Sequence, residues 1–333
     1  MPKMRQEFAP LLTNAIRDGF PFGGFRRIIA VSGKGGVGKT NVVINLAFAF
    51  ARLHKNVFVL DGDLGLPNIH TLLGLASKYT FSHFIKEQEI PWKFKIEGPA
   101  GITILPGLSG NLEFINLGDR EKLTLIEKME LITKPTDIIL MDTEPGLSSN
   151  SLSFNMMASD SIIIITPEPT SIINANALIK QLSSKNKKKK FAILVNFVQN
   201  EQEAIEIYKK FAKIIDRTLG HISSLDFLGF VPFDDKLREA VKKQRAVLDM
   251  CPHGSSSRSF MAVAKSILEK IARWGEDADY PFLCRPNLEG YPAALNKTDD
   301  ENHEFNLENY STEVDHGDKC YVPAGKKPCP SHS

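Results

Sequence analysis

The amino-acid sequence predicts an α/β fold with a doubly wound, mostly parallel sheet, and three observations support this prediction. Short, almost continuous apolar runs recur between residues 26 and 231, and such runs are typical of strands buried on both faces of a parallel sheet. Longer segments with helical patterning separate most of these runs, as expected for right-handed crossovers. A glycine-rich loop lies between the first run and the first helical segment, where α/β sheets place phosphate sites.

The elements follow in alternation along the chain. Seven strands are predicted, at residues 26–32, 56–61, 102–107, 137–143, 161–167, 190–197 and 225–231. Helices are predicted between them at Asn41–Leu53, Glu121–Ile132, Ser171–Leu182 and Gln202–Leu219. A last helix at Ser257–Trp274, with apolar residues at helical spacing, closes the fold.

Composition divides the chain into three segments. Residues 1–24 read as a short amphipathic extension, residues 25–274 as the α/β domain, and residues 275–333 as an acidic tail without apolar periodicity, for which we expect disorder. The tail carries a formal charge of −7, so the rest of the chain carries +9. A basic body suits contact with anionic lipid or nucleic acid, and it equally suits a domain that binds a polyphosphate.

The sequence contains neither a membrane span nor a secretion signal by pattern. No run of 18 apolar residues occurs, and polar residues are spread throughout the first twenty positions, which leaves no apolar core of the length that a signal peptide usually has. The four cysteines all follow residue 250 and form no Cys-x-x-Cys pair, which favours reduced thiols. We therefore expect a cytoplasmic protein, with the inner face of the membrane as a candidate docking surface.

The glycine-rich loop predicts a site for ATP. It fits the pattern G-x-x-x-x-G-K-[ST] and consists of Gly33, Lys34, Gly35, Gly36, Val37, Gly38, Lys39 and Thr40. In such a loop the backbone N–H groups turn inward onto phosphate oxygens, and the following helix presents its positive end to the same anion. Lys39 is placed to contact the β- and γ-phosphates, and the hydroxyl of Thr40 to bind Mg²⁺.

Two carboxylates are predicted to complete a magnesium site with Thr40. Asp63 belongs to the sequence Asp61-Gly62-Asp63, directly after an apolar run, and Asp142 ends another such run. Parallel strands place ligands at their carboxyl ends. Either aspartate alone is better explained as a turn residue or a helix cap than as a catalytic group, but the three elements in this order are typical of phosphate chemistry.

The loop and three further segments resemble the MinD/ParA family of ATPases with a deviant Walker A motif. The matching segments are SGKGGVGKTNVVINLA (32–47), LDGDLGLPNIHTLLGL (60–75), MDTEPGLS (141–148) and TPEPTSIINANALIK (166–180). The resemblance covers roughly residues 25–272 and is nearest to the MinD-like branch that includes FlhG and FleN. It implies the fold of a SIMIBI-type P-loop NTPase and slow, partner-stimulated ATP hydrolysis with Mg²⁺.

The resemblance also implies roles for particular residues. Lys34 is the signature lysine, which in such proteins reaches the phosphates bound by the partner subunit of an ATP-sandwiched homodimer. Asp63 is the switch I carboxylate that positions the attacking water, and residues 142–146 form switch II. Asn196 is expected near the adenine, and Pro232 in the lining of its pocket.

The sequence departs from the family in three places. Glu144 and Pro145 fill the middle of switch II, where relatives often carry Gly-Ala or Pro-Ala. Asn174 and Asn176 are neutral where relatives commonly carry acidic residues. The N-terminal activator motif DQAxxLR of flagellar relatives is missing from this sequence, which weakens a specifically flagellar interpretation.

Three function classes share this loop. A MinD-like regulator of spatial positioning would dock on an anionic membrane, through the helix at 259–274 or residues 1–24, and would respond to an activating protein whose identity the sequence does not reveal. A ParA-like partition ATPase would bind DNA through basic patches such as Lys185–Lys190. The iron–sulfur scaffold ATPases need paired cysteines, and no cysteine precedes Cys251. The helix at 259–274 is better explained as the last core helix, because helices with one apolar face mostly pack inward.

Overall fold

The computed structural model describes residues 27–63, 69–76, 91–107, 132–133, 136–148, 151–152, 154–155, 158–186, 190–219 and 224–274. The predicted extension 1–24, the predicted tail 275–333 and nearly all of the helix predicted at Glu121–Ile132 lie outside these residues. Within the described part, no helix combines the length and the apolar character that crossing a membrane requires.

One sheet of eight strands forms the centre of the described structure. The strands are β1 (Arg27–Ser32), β2 (Val57–Gly62), β3 (Ile96–Glu97), β4 (Thr103–Leu105), β5 (Ile138–Thr143), β6 (Asp160–Ile165), β7 (Lys190–Val198) and β8 (Ser224–Pro232). Their order across the sheet is β3-β4-β2-β5-β1-β6-β7-β8, and every neighbouring pair is parallel except β3 and β4. The predicted fold class is therefore confirmed, and β3 is an addition that the sequence pattern did not predict.

Helices cover the sheet. They are α1 (Lys39–Arg52), α2 (Ile69–Leu72), α3 (Pro169–Asn186), α4 (Glu201–Leu219), α5 (Asp235–Lys242), α6 (Val247–Met250) and α7 (Ser255–Trp274), with 3-10 turns at Pro91–Phe94 and Pro99–Gly101. The four long helices were predicted and differ from their predicted bounds by at most four residues. The short helices α2, α5 and α6 were not predicted, because one or two turns carry too little periodicity to be read from sequence.

The hydrophobic core explains why β1 and α1 lie at the middle of the fold. Every residue of β1 is buried, as the central strand of a covered parallel sheet should be. Helix α1 buries almost its whole apolar length, from Val42 to Phe50. The loop that joins these two elements is therefore held from both sides by packed secondary structure, which positions it rigidly.

Helix α7 packs as the last helix of the core. Its residues Phe260, Val263 and Ile267 are all buried and belong to the same apolar cluster as β1 and α1. A hydrogen bond holds the C-terminal end of this helix: the Nη2 of Arg27 donates to the carbonyl of Ile271 at 3.4 Å. This packing agrees with the core interpretation of the helix predicted at 259–274, because the apolar face that a membrane would need is already covered.

Candidate functional site

The predicted site residues converge at one edge of the sheet. Because β1, β2, β5, β6, β7 and β8 run parallel, their carboxyl ends meet at the same edge. Asp61 of β2 and Asp142 of β5 stand directly opposite one another in register. The phosphate loop leaves the central strand β1 beside them, so the loop and the acidic residues form a single site.

The backbone of the phosphate loop is shaped by glycines. Gly38 has φ = 87°, and a Cβ atom there would stand 2.7 Å from the Nδ2 of Asn196, so a side chain is excluded by conformation and by space. Gly36 has φ = 84° but meets nothing within 4 Å. The loop is thus packed against β7 at Gly38 and open at Gly36, where an anion can approach the first turn of α1.

Lys39 lies beneath this loop with its ammonium group directed at the site. The residue is buried, and its Nζ donates to the carbonyl of Lys34 at 3.3 Å. Burial lowers the pKa of Lys39, and the nearby carboxylates of Asp142 and Asp63 oppose that shift. A buried cation that spans the loop is poised to exchange its carbonyl contact for phosphate oxygens, which bind an ammonium group more strongly.

Asp142 is the most deeply buried acid of the site, at 1% exposure. The hydroxyl of Thr40 hydrogen bonds to its carboxylate, while Oδ1 has no hydrogen-bond partner. Burial raises the pKa of Asp142 to about 7; proximity to Asp61 and Asp63 adds to the shift, while Thr40 and Lys39 oppose it. A buried carboxylate oxygen without a partner calls for a ligand that supplies positive charge.

Asp61 positions Asp63. The Oδ1 of Asp61 accepts the backbone N–H of Asp63 at 3.4 Å, and its Oδ2 accepts that of Ile69 at 3.1 Å. The buried Asp61 therefore fixes the backbone on both sides of residues 64–68. Of these two aspartates, the sequence predicts a catalytic role only for Asp63. The position of Asp61 as the last residue of an apolar run was the signal for its structural role.

These residues fit a magnesium ion that is bound together with ATP. Thr40, Asp63 and Asp142 supply hydroxyl and carboxylate oxygens, the ligand type Mg²⁺ prefers, and the unpartnered Oδ1 of Asp142 is available to it. Within the described ranges, no group of three or more His, Cys, Asp or Glu side chains could hold a metal alone. We expect nucleotide phosphates and water to complete the coordination, as is usual for Mg²⁺.

The side chain of Lys34 is hydrogen bonded outside the predicted phosphate site. Its Nζ donates to the Oε2 of Glu168 at 3.1 Å and to the Oγ1 of Thr170 at 2.7 Å. The side chain of Lys34 is about one-third exposed, at 34%. Glu168 and Thr170 belong to the segment 166–180 that carries the family resemblance, but the sequence motifs give them no chemical role. Pairing a loop lysine with them could not be predicted from a separation of more than 130 residues.

Residues 142–146, the predicted switch II, are attached to the start of the phosphate loop in two ways. The backbone N–H of Gly146 donates to the carbonyl of Gly33 at 3.1 Å. Below it, the hydroxyls of Ser32 and Thr143 share a hydrogen bond of 2.9 Å, and the Nδ2 of Asn155 donates to Ser32 at 2.7 Å. These polar side chains are fully buried. A displacement of switch II must therefore break contacts that begin at the first residue of the loop.

Asn196 and Pro232 lie at the ends of β7 and β8, beside the loop. Asn196 is 2% exposed; its Nδ2 donates to the carbonyl of Val37 at 2.8 Å, and its Oδ1 accepts the N–H of Phe197 at 2.9 Å. Pro232 is buried as the last residue of its strand. Asn196 thus braces the phosphate loop, and contact of either residue with adenine stays a prediction.

Comparison with known proteins places this site in a family. The family model described as "ParA: NUBPL iron-transfer P-loop NTPase" matches residues 25–268. The antiactivator FleN of Pseudomonas aeruginosa is 38% identical over 242 residues, which cover 72% of this chain and 86% of FleN. The flagellum site-determining protein YlxH of Helicobacter pylori is 28% identical over 250 residues, which cover 75% of this chain and 84% of YlxH.

Solved structures share the fold. The septum site-determining protein MinD of Pyrococcus horikoshii, complexed with Mg-ADP, superposes with a TM-score of 0.59 at 23% identity and covers 77% of this chain and all of that one. The MinC:MinD complex of Aquifex aeolicus gives a TM-score of 0.57 at 22% identity, with 73% of this chain and 96% of that one covered.

Proposed function

Because the chain belongs to the MinD/ParA family of P-loop ATPases, which use ATP with Mg²⁺, we propose that it is a MinD-like switch that dimerises on ATP. In this proposal the ATP dimer docks reversibly on an anionic membrane or a partner protein and regulates the placement of flagellar, division-site or other cell-surface machinery. The resemblance to FleN, YlxH and MinD supports this class of process.

The observation that carries the proposal is the position of Lys34. Lys39, Thr40 and Asp142 already surround the phosphate region of this subunit, while the ammonium group of Lys34 lies at the rim with Glu168 and Thr170. A cation at the rim can neutralise phosphates that a second subunit presents. Two triphosphates brought face to face repel one another, so a lysine from each side favours dimerisation only when ATP is bound.

We propose the following division of labour in hydrolysis. Lys39 stabilises the charge that develops on the transferred phosphoryl group, and Asp63 orients the water that attacks it in line. Thr40, Asp63 and Asp142 hold Mg²⁺, which neutralises phosphate charge when it is bound. Residues 142–146 report the presence of the γ-phosphate, since they are hydrogen bonded to the start of the loop. Dimerisation rather than turnover is the output of this cycle.

The docking surface is proposed by elimination between two segments. Helix α7 has its apolar face buried in the core, which makes residues 1–24 the better candidate for contact with lipid. Docking on DNA through basic residues such as Lys185–Lys190 is the competing proposal, and it follows from the positive charge of the chain outside its acidic tail.

Co-sedimentation of the full-length Asp63→Ala protein tests the proposal. This variant loses the group that orients the attacking water but keeps Thr40 and the buried Asp142 for Mg²⁺. It should therefore bind ATP without hydrolysing it and accumulate as a dimer. We expect it to pellet with anionic liposomes in ATP but not in ADP, and the double variant Asp63→Ala/Lys34→Ala to stay in the supernatant. Pelleting with plain duplex DNA only in ATP would instead place the protein in the partition class. Liposome binding that ignores the nucleotide would contradict the switch.

A further inference from the structure

A fully buried asparagine lies behind the start of the phosphate loop, outside every motif of the sequence. Asn155 has no exposed surface, and its amide is hydrogen bonded through both of its polar atoms. The Nδ2 donates to the hydroxyl of Ser32 at 2.7 Å and to the carbonyl of Ser151 at 2.8 Å. The Oδ1 accepts the hydroxyl of Ser161 at 2.7 Å. The bond from Ser161 fixes which way the amide faces, because only the oxygen of an amide can accept it.

The hydrogen bonds of Asn155 join three separate parts of the site. Ser32 is the last residue of β1, directly before the phosphate loop, and Ser161 belongs to β6. Ser151 follows the predicted switch II, and its hydroxyl donates to that of Thr143 at 3.5 Å. A buried polar network of this kind is rigid only while each member keeps its partners. Asn155 therefore ties the residues after switch II to the start of the loop.

The residue before Asn155 contacts the backbone next to Asp63. Phe154 is 7% exposed, and its Cε2 atom lies 2.8 Å from the place where a Cβ of Gly62 would stand. The backbone carbonyl of Asp142 lies 2.5 Å from the same place. Since no side chain fits there, the aromatic ring packs directly against the backbone that leads into Asp63.

These contacts form a path from the phosphate loop to the residue that orients water. Asn155 is adjacent to Phe154, so the bonds that hold its amide also restrain the position of the ring. We propose that Asn155 is a positioning residue for ATP hydrolysis, which keeps Phe154 against Gly62 and thereby keeps Asp63 close enough to the γ-phosphate to orient the attacking water. This inference rests on the proposed role of Asp63, and it adds two residues that the motifs do not indicate.

Steady-state ATP hydrolysis by the full-length chain tests the inference. Asn155→Ala removes the amide, and Phe154→Leu keeps an apolar side chain but withdraws the ring from Gly62. We expect each variant to lower kcat by about 10- to 100-fold, because a shift of about 1 Å in a positioned group can cost that much. KM for Mg·ATP and the dissociation constant of Mg·ADP should stay within about twofold of the wild type, since Ser32 keeps its hydrogen bond to Thr143.

Two further variants separate positioning from a loss of stability. Ser161→Ala removes only the hydroxyl that orients the amide of Asn155, so it should lower kcat by a smaller factor in a well-folded protein. Asn45→Ala is the matched control: this buried amide donates to the carbonyl of Asn41 at 2.8 Å and accepts the N–H of Val247 at 2.9 Å. It should lower the melting temperature and leave kcat unchanged. An equal loss of kcat in Asn45→Ala would mean that any buried amide matters in this way, and would overturn the inference.

Other results would also contradict it. Wild-type kcat in Asn155→Ala or in Ser161→Ala would show that the amide does not position the site. A normal kcat in Phe154→Leu would show that the support does not pass through Gly62. A matching loss of Mg·ADP affinity would mean that the network only supports the phosphate loop, and activity that returns at higher protein concentration would mean that it acts on dimerisation. Wild-type hydrolysis by Asp63→Ala is a separate failure, because it would contradict the proposed role of Asp63 itself.

Discussion

At the scale of single residues, Lys34 is the group with two competing sets of partners. In the subunit described it is bonded to Glu168 and Thr170, whereas the proposed dimer needs it at the phosphates of the other subunit. Lys34 can reach the phosphates of the other subunit only after it leaves Glu168 and Thr170. The contact within the subunit therefore opposes dimerisation. Its contribution is small, because the side chain of Glu168 is 66% exposed and solvent weakens the ion pair.

Replacing Glu168 by Gln should make dimerisation easier. An exposed ion pair is worth less than about 1 kcal/mol, so the ATP concentration at half-maximal dimerisation should fall by a factor of up to about five. Analytical ultracentrifugation at a series of ATP concentrations measures this midpoint. Glu239→Gln, which removes an acid paired with Lys236 and Lys243 on α5, is the matched control. An unchanged midpoint in Glu168→Gln would show that Lys34 is not restrained there.

Asp142 makes stability depend on pH when metal and nucleotide are absent. Its pKa in the folded chain is about 7 against an ordinary value of 3.8. Between these values the folded chain keeps a proton that the unfolded chain has lost, so the free energy of unfolding falls as pH rises and levels off above pH 7. In the proposed site Asp142 is a ligand of Mg²⁺, which would explain why an acidic residue stands at a buried position where its charge lowers stability.

The Asp142→Asn protein should lack this pH dependence. In EDTA at pH 8 it should be more stable than the wild type by about 1–4 kcal/mol, since each pKa unit corresponds to about 1.4 kcal/mol, and the two should converge near pH 4. Urea unfolding at several pH values provides the comparison. The same variant should bind Mg·ATP poorly at pH 8. Equal stabilities across the range would mean that Asp142 is ionised throughout.

At the scale of elements, the packing of α7 shows that it is a core helix. The sequence alone could not distinguish a core helix from a membrane-binding one. Both kinds present apolar residues at helical spacing with basic residues beside them. The outcome depends on whether the sheet offers a complementary surface, and here β8 and α1 do.

Phe260→Ala should consequently destabilise the chain strongly. Phe260 is completely buried, and removing a buried phenylalanine ring typically costs about 3–5 kcal/mol. Lys265→Ala, at an exposed position of the same helix, should change the free energy of unfolding by less than about 0.5 kcal/mol. Chemical denaturation of both proteins measures this difference. A loss below about 1 kcal/mol in Phe260→Ala would indicate a helix that can leave the core.

The elements that the sequence predicted well are those that carry an unambiguous period. Each long strand is an apolar run bounded by polar or glycine residues, and each long helix spans at least three turns. Strand β3, with two residues, and helix α2, with four, carry no readable period. A bulge in β7 at Phe197 was also beyond prediction, because it depends on the register between β7 and β8.

At the scale of the whole molecule, the strand order explains which site residues could be found from sequence. Lys39, Thr40, Asp63 and Asp142 sit in local motifs, and a parallel sheet brings the ends of their strands together. The contacts of Lys34 with Glu168, of Asn196 with Val37 and of Asn155 with Ser32 join residues more than 120 positions apart. No motif encodes such pairs, so only the folded chain reveals them.

The placement of β1 between two sets of strands also bears on how the protein would behave in a living cell. In the proposed nucleotide site, the γ-phosphate lies toward β2 and β5, and the nucleoside lies toward β7 and β8, where the family resemblance puts the adenine near Asn196 and Pro232. Loss of the γ-phosphate leaves the second set of contacts intact, so ADP should remain a tight competitor after each cycle. How many subunits are active would then follow the cellular ratio of ATP to ADP. The activity of the protein would thereby depend on the energy status of the cell. In starved cells, the placement of the machinery that it regulates would slow.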